Sequence, residues 1–414
     1  MTKFPQEFLR EIPKTDLHVH LDGSLSISTL VDLAKERKVK LPSLTEEGLR
    51  ETVFKERYKD LGEYLKGFAY TCAVLQNAEA LERAAYELAV DSFSEGVRYI
   101  EPRLAPQLHI NAEMEMPMVL RAVDRGFRRA VEEYNQRPEI KKGTEPPYAY
   151  GIIVCALRMF RKAYSKYFKN LLDVQAYSPE KTIFSIASLE MSRAAIRIRD
   201  EEGLAIVGFD LAGQENGYPA HDHIAAYQHA HRNFLHKTVH AGEAYGAESI
   251  FEAITDLHTD RIGHGYYLFH AEKIKNSFIT DREQYIQALV EYIADKRITI
   301  EICLTSNLQT NPELKTLSAH PLKKMLAAKI STTFCTDNRL VSRTTVTEEI
   351  ARAVGEIGLT VKQLRECIFN GFKRSFMPFS YLAKRDYVRN VINYYSQMEK
   401  KWGIGENGVR PHHK

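Results

Sequence analysis

The sequence predicts an α/β protein built as a (β/α)8 TIM barrel, with extra helices after the first strand and at the C-terminus. Three observations predict it. Eight short β-rich runs alternate with long stretches of helical periodicity, the pattern of a parallel sheet. The chain has 414 residues, a length that suits one such barrel carrying insertions. The composition is 44% hydrophobic and 27% charged, enough apolar material for one large core beneath a polar surface. Residues 1–414 are therefore expected to form a single domain, with an insertion at about 42–90 and a C-terminal helical region at about 360–402.

The runs fall at residues 15–20, 98–104, 148–157, 205–211, 237–240, 261–264, 298–304 and 331–336. Residues 281–296 show the helical periodicity expected between them. Inside the insertion, Leu61, Tyr64, Leu65 and Phe68 stand at i, i+3, i+4 and i+7, an apolar helical stripe that spacing alone assigns to core packing. The polar stretch 131–147 contains prolines and reads as a surface loop, and residues 403–414 read as frayed.

The net charge is +3, with basic residues spread among acidic ones, so no footprint for nucleic acid or a membrane surface is present. Cys72, Cys155, Cys303, Cys335 and Cys367 are odd in number, widely spaced and free of C-x-x-C. They read as thiols in a reducing, cytoplasmic compartment, with Cys155, Cys303 and Cys335 buried in apolar runs. The opening "MTKFPQEFLREIPK" lacks the apolar centre of a signal peptide, and no apolar run reaches the ~18 residues of a membrane span.

The chemistry begins with "TDLHVHLDGSL". Alternate side chains of a strand share a face, so His18 and His20 point the same way. Such a pair can hold a metal ion or be a hydrogen-bonded pair at a barrel mouth. Three later segments favour the metal. "KTVHAGE" ends a run with His240 and Glu243, "DRIGHGY" ends one with His264, and "STTFCTDNR" ends the last with Asp337. The C-terminal ends of barrel strands converge on one face. His18, His20, His240 and Asp337 then offer three nitrogens and a carboxylate, a set that suits one Zn2+ per chain.

Other polar residues carry plainer readings. His221, His223, His229 and His231 read as a surface helix, since residues two apart do not face each other. Glu101 and Arg103 read as a charge pair orienting groups around the site. Gly213 is either a turn glycine or a pocket position beside Asp210 and Glu215.

The motifs "DLHVHLDGSL", "EGVRYIEPR", "FDLAGQE", "TVHAGE", "RIGHGY", "EICLTSN" and "CTDN", in this order over residues 10–345, resemble those of the adenosine deaminases of the metal-dependent hydrolase superfamily. The resemblance implies zinc ligation by His18, His20, His240 and Asp337. It implies that Glu243 protonates purine N1 and that His264 is the base beside the attacking water. It assigns Gly213 to purine N3 and Asp22 to the ribose 5′-hydroxyl, and it places Leu61, Tyr64, Leu65 and Phe68 in a helix that lids the pocket. The implied partner is a small purine nucleoside, with no nucleic acid and no membrane; oligomeric state is not legible. The other zinc deaminase design, H-x-E with P-C-x-x-C, is excluded because the chain has no C-x-x-C.

Two positions depart from the family pattern. Asn338 stands where many relatives have a second aspartate; its amide can donate to purine N7 without a proton cost. Leu304 replaces a common proline, read as local backbone variation. The expected activity is deamination of adenosine and 2′-deoxyadenosine to the inosine form. The alternatives are another 6-aminopurine (adenine, aminodeoxyfutalosine or a thioether nucleoside) or a silent nucleoside-binding barrel.

Overall fold

The computed structural model describes residues 4–405 and 408–409. Its centre is a closed ring of parallel strands: β1 (Lys14–His20), β2 (Val97–Leu104), β3 in two pieces (Ala149–Tyr150 and Ile152–Leu157), β4 (Ile206–Ala212), β5 (His236–Ala241), β6 (Arg261–His264), β7 (Thr299–Ile302) and β8 (Ser331–Phe334). Each strand pairs with the next in sequence. The ring closes where the Asp337 N–H donates to the His18 carbonyl and the His20 N–H to the Asp337 carbonyl, both at 2.7 Å. Helices cover the outside of the ring and the strands' own side chains fill its inside, which is why the strands are buried almost throughout and read as apolar runs.

Several expectations need correction. The run at 148–157 is interrupted at Gly151, where a Cβ would lie 2.6 Å from Val207 and 2.8 Å from the Tyr99 hydroxyl. The stretch 131–147 is not all loop. Its first residues complete the helix Met116–Asn135, where Tyr134 packs against Phe93 with tilted rings, centroids 3.9 Å apart. Asn135 exchanges two hydrogen bonds with the Tyr148 backbone, and Pro138 opens a one-turn helix, Pro138–Lys141. The apolar stripe at 61–68 is not one continuous helix: Leu61–Tyr64 and Phe68–Val74 are joined by a 3-10 turn over Leu65–Gly67. His223 is not on a surface face; it is buried between the Ser188 hydroxyl at 3.0 Å and the Arg158 carbonyl at 3.2 Å. At the C-terminus, Ile404–Gly405 pairs with Gly408–Val409; residues 406–407 and 410–414 lie outside the described residues.

Residues 42–90 contain the helix Glu46–Thr52, the broken pair above and most of the helix Ala78–Ser94, which packs beside Met116–Asn135 in the outer ring. Residues 360–402 contain the helices Val361–Arg374 and Tyr381–Lys401. All five cysteines are free and buried. Among the described residues no helix is long and apolar enough to cross a membrane.

Candidate active site and metal centre

The strand ends bring the expected polar residues together. His18, His240, His264 and Asp337 each offer a donor atom, all within 4.8 Å of one another. His20 stands beside them, its Nε2 3.1 Å from His240 Nε2 and 3.6 Å from Asp337 Oδ1. Both His264 (φ 66°) and Asp337 (φ 62°) occupy the left-handed region, which directs these two side chains at the price of backbone strain.

The donor set fits a cation. His18 Nδ1 meets Glu301 Oε2 at 2.8 Å, and His240 Nδ1 meets Asp210 Oδ2 at 3.1 Å. A carboxylate only accepts, so each Nδ1 carries the hydrogen, and each ring in its neutral, metal-binding form turns a lone pair on Nε2 into the site. His18 Nε2 has no hydrogen-bond partner, yet it lies 3.5 Å from the Asp337 carboxylate. Lone pairs and a carboxylate crowded together in a buried space are stabilised by a positive ion among them.

Beneath this layer lies a floor of buried charge. Arg103 donates to Asp210 at 2.9 Å and to Glu301 at 3.0 Å. Arg261 donates to Glu301 at 2.7 Å and to Glu101. Glu101 and Arg103 therefore do not pair with each other as expected; they share a strand face and bind partners across the barrel. Against the upward push of burial, Arg103 and Arg261 hold the Glu301 carboxyl well below the usual range, and His240 with Arg103 does the same for Asp210, so both stay ionised behind their imidazoles.

Glu243 and His264 face one another at the edge of this cluster, with Oε1 3.7 Å from Nε2. Burial holds the Glu243 carboxyl well above the ordinary carboxylate range, and the charges of Asp337 and Glu215 add to the effect. Glu215, fully buried, accepts the backbone N–H groups of Gly242 (3.0 Å), Glu243 (3.1 Å), Ala244 (2.6 Å) and Tyr245 (3.0 Å), and the Ser249 hydroxyl. This carboxylate ties down the loop that carries Glu243.

The His264 tautomer follows from a chain of partners. The Leu322 backbone N–H donates to His320 Nδ1 at 3.1 Å, so neutral His320 carries its hydrogen on Nε2. Burial pushes His320 down to about 3, which keeps it neutral. His320 Nε2 then donates to Asn307 Oδ1 at 3.2 Å, and Asn307 Nδ2 donates to His264 Nδ1 at 3.2 Å. Neutral His264 therefore presents Nε2–H to the site.

A cavity of about 650 Å³ opens over the cluster and is lined by the remaining predicted residues: Asp22, Leu61, Tyr64, Leu65, Phe68, Gly213 and Asn338. Phe68 meets the His20 ring edge-on at 6.3 Å. Gly213 has φ +96°, which a side chain rarely adopts. Both amide hydrogens of Asn338 are engaged, by the Tyr64 hydroxyl at 2.8 Å and Asp337 Oδ1 at 2.7 Å, so the free donor expected from sequence is not free here. Burial pushes the Asp22 carboxyl up to about 7. His109, missed in the sequence, stands 3.9 Å from it.

An eight-stranded parallel barrel with a histidine–carboxylate centre at its strand ends defines a barrel hydrolase of the metal-dependent class. Within that class the chain belongs to the adenosine deaminase family, whose model matches residues 13–187 and 183–393. It is therefore a hydrolytic deaminase. The chain is 32% identical to adenosine deaminase 1 of Streptomyces coelicolor over 95% of its own length and 90% of the relative's. Its fold is similar to that of Arabidopsis ADAL complexed with IMP (TM-score 0.71, 23% identity, 95% and 99% of the two chains). A Burkholderia ambifaria amidohydrolase with bound Zn has a TM-score of 0.73 at 17% identity over 96% and 94% of the two chains.

Proposed function

We propose that this chain deaminates adenosine and 2′-deoxyadenosine to the inosine form plus ammonia, with one zinc ion held by His18, His20, His240 and Asp337. The carrying observation is the gathering of imidazole nitrogens around Asp337 beside a buried Glu243 whose carboxyl burial pushes toward the protonated form. A zinc ion held there supplies the Lewis acidity that readies water for attack near neutral pH.

The chain's own residues do the rest. Glu243, kept protonated, donates to purine N1 while attack at C6 breaks the ring's aromaticity. His264, with its hydrogen on Nε2, donates a hydrogen bond to the oxygen developing at C6; the proton that the water loses on activation passes to solvent, since resting His264 is not its base. This departs from the role the resemblance implies. Gly213 accommodates the purine N3 edge, and Asp22 receives the ribose 5′-hydroxyl. A carboxylate there disfavours a 5′-phosphate. Leu61, Tyr64, Leu65 and Phe68 exclude water above the ring. A contact from Asn338 to N7 requires its amide to leave Tyr64; equal efficiency on adenosine and 7-deazaadenosine would remove that contact from the account. The chain works as one barrel unit, with residues 42–90 lidding the pocket.

A substrate panel read by ammonia release tests the substrate. Adenosine should exceed adenine and adenosine monophosphate, and a faster rate on adenine would move the assignment to a free base. Glu243→Gln should keep zinc and lose turnover; zinc retention with no turnover in the parent chain would instead support a silent binding barrel.

A further inference from the structure

Asp22, Cys72 and His109 form a second cluster of donors in the same pocket, with one atom from each within 4.8 Å of the others. Asp22 and Cys72 line the cavity, and His109 lies directly behind Asp22. We propose that these three residues bind a second, weaker divalent cation of the zinc type, in the part of the pocket where Asp22 stands.

Three observations carry it. His109 Nδ1 lies 3.0 Å from the Leu75 carbonyl, so its hydrogen is on Nδ1 and a lone pair on Nε2 faces Asp22. A metal-binding histidine is commonly held in this way by a backbone carbonyl. That Nε2 is buried without a hydrogen-bond partner, and so is Asp22 Oδ1; the two residues are 0% and 3% exposed. His109 Nε2 lies 3.9 Å from Asp22 Oδ2, too far for a direct hydrogen bond, so a cation held between the two residues would engage the unpartnered imidazole lone pair. Finally, imidazole, carboxylate and thiolate together match the ligand types of Zn2+, not the all-oxygen shell of Ca2+ or Mg2+.

Binding forms the Sγ–metal bond as the Cys72 S–H bond breaks, and the proton passes to solvent. Burial holds this thiol well above its ordinary pKa, so displacing its proton makes the site weaker than the first. If the 5′-hydroxyl reading of Asp22 under Proposed function holds, an ion here competes with the nucleoside and raises KM while leaving kcat unchanged.

The first centre has no sulfur ligand, so cobalt separates the two. The zinc-loaded enzyme is titrated with Co2+, and thiolate-to-cobalt charge-transfer absorption is recorded alongside the metal bound per chain. The expected result is one further equivalent bound together with a charge-transfer band. Both should be lost in Cys72→Ser and in His109→Gln while the tight ion remains. A titration that ends with no added ion and no band overturns the proposal, as does a band that persists in Cys72→Ser. If the second ion binds as expected but leaves KM for adenosine unmoved, the metal site stands and the 5′-hydroxyl assignment fails.

Discussion

Two imidazole–carboxylate clusters share one pocket, and what lies behind each sets them apart. Behind His18 and His240 stand ionised Glu301 and Asp210, themselves held by Arg103 and Arg261. Behind His109 stands a single backbone carbonyl, that of Leu75. A carboxylate behind an imidazole raises its basicity and fixes its ring; a neutral carbonyl does only the second. The charged floor is costly to bury and stays folded because every member is paired. The difference teaches that similar donor atoms gain different strength from the residues they lean on.

The comparison can be broken at its reactive edge first. Glu243→Gln should lower kcat about 10³-fold with the tight ion retained, the scale of losing a general acid. In the parent enzyme kcat should be flat at low pH and fall as pH rises through the raised Glu243 pKa, because the protonated form is the working one. A pH-rate profile without that alkaline limb would count against Glu243 as the acid.

The floor comes next. Asp210→Asn leaves the His240 ring a partner but removes its charge, and should weaken zinc by ~10- to 100-fold in a chelator competition assay. An unchanged affinity would erase the distinction between the clusters. Asn307→Leu removes the donor to His264 Nδ1 and frees the tautomer. It should lower kcat about 10-fold, with KM and zinc content little changed, and 15N spectra of the His264 ring should show hydrogen no longer confined to Nε2. Phe68→Ala, which loosens the cover above His20, should raise KM only a few-fold, on the order of 1 kcal/mol.

The first layer was legible because each of its residues ends an apolar strand run, and strand ends converge in a barrel. The supporting layer was less so. Glu301 interrupts "ITIEICL" and Arg103 interrupts "YIEPRL", so a charge inside a buried strand was the available signal. Its meaning needed the fold, because Glu301 meets His18 across 283 residues of chain. His109 and His320 carry no local signature, and Asn307 closes the "EICLTSN" motif without any sign of its role, since these roles rest on which ring nitrogen a distant partner occupies. The helix break at 65–67 was invisible because apolar spacing records a face, not the continuity of hydrogen bonds along it.

The most direct measurement is zinc content and ammonia release from adenosine on one sample, followed through chelation and stepwise return of zinc. Activity should disappear with the tightly held ion and return in full at one equivalent per chain. Metal-free protein that keeps its full rate would contradict the account.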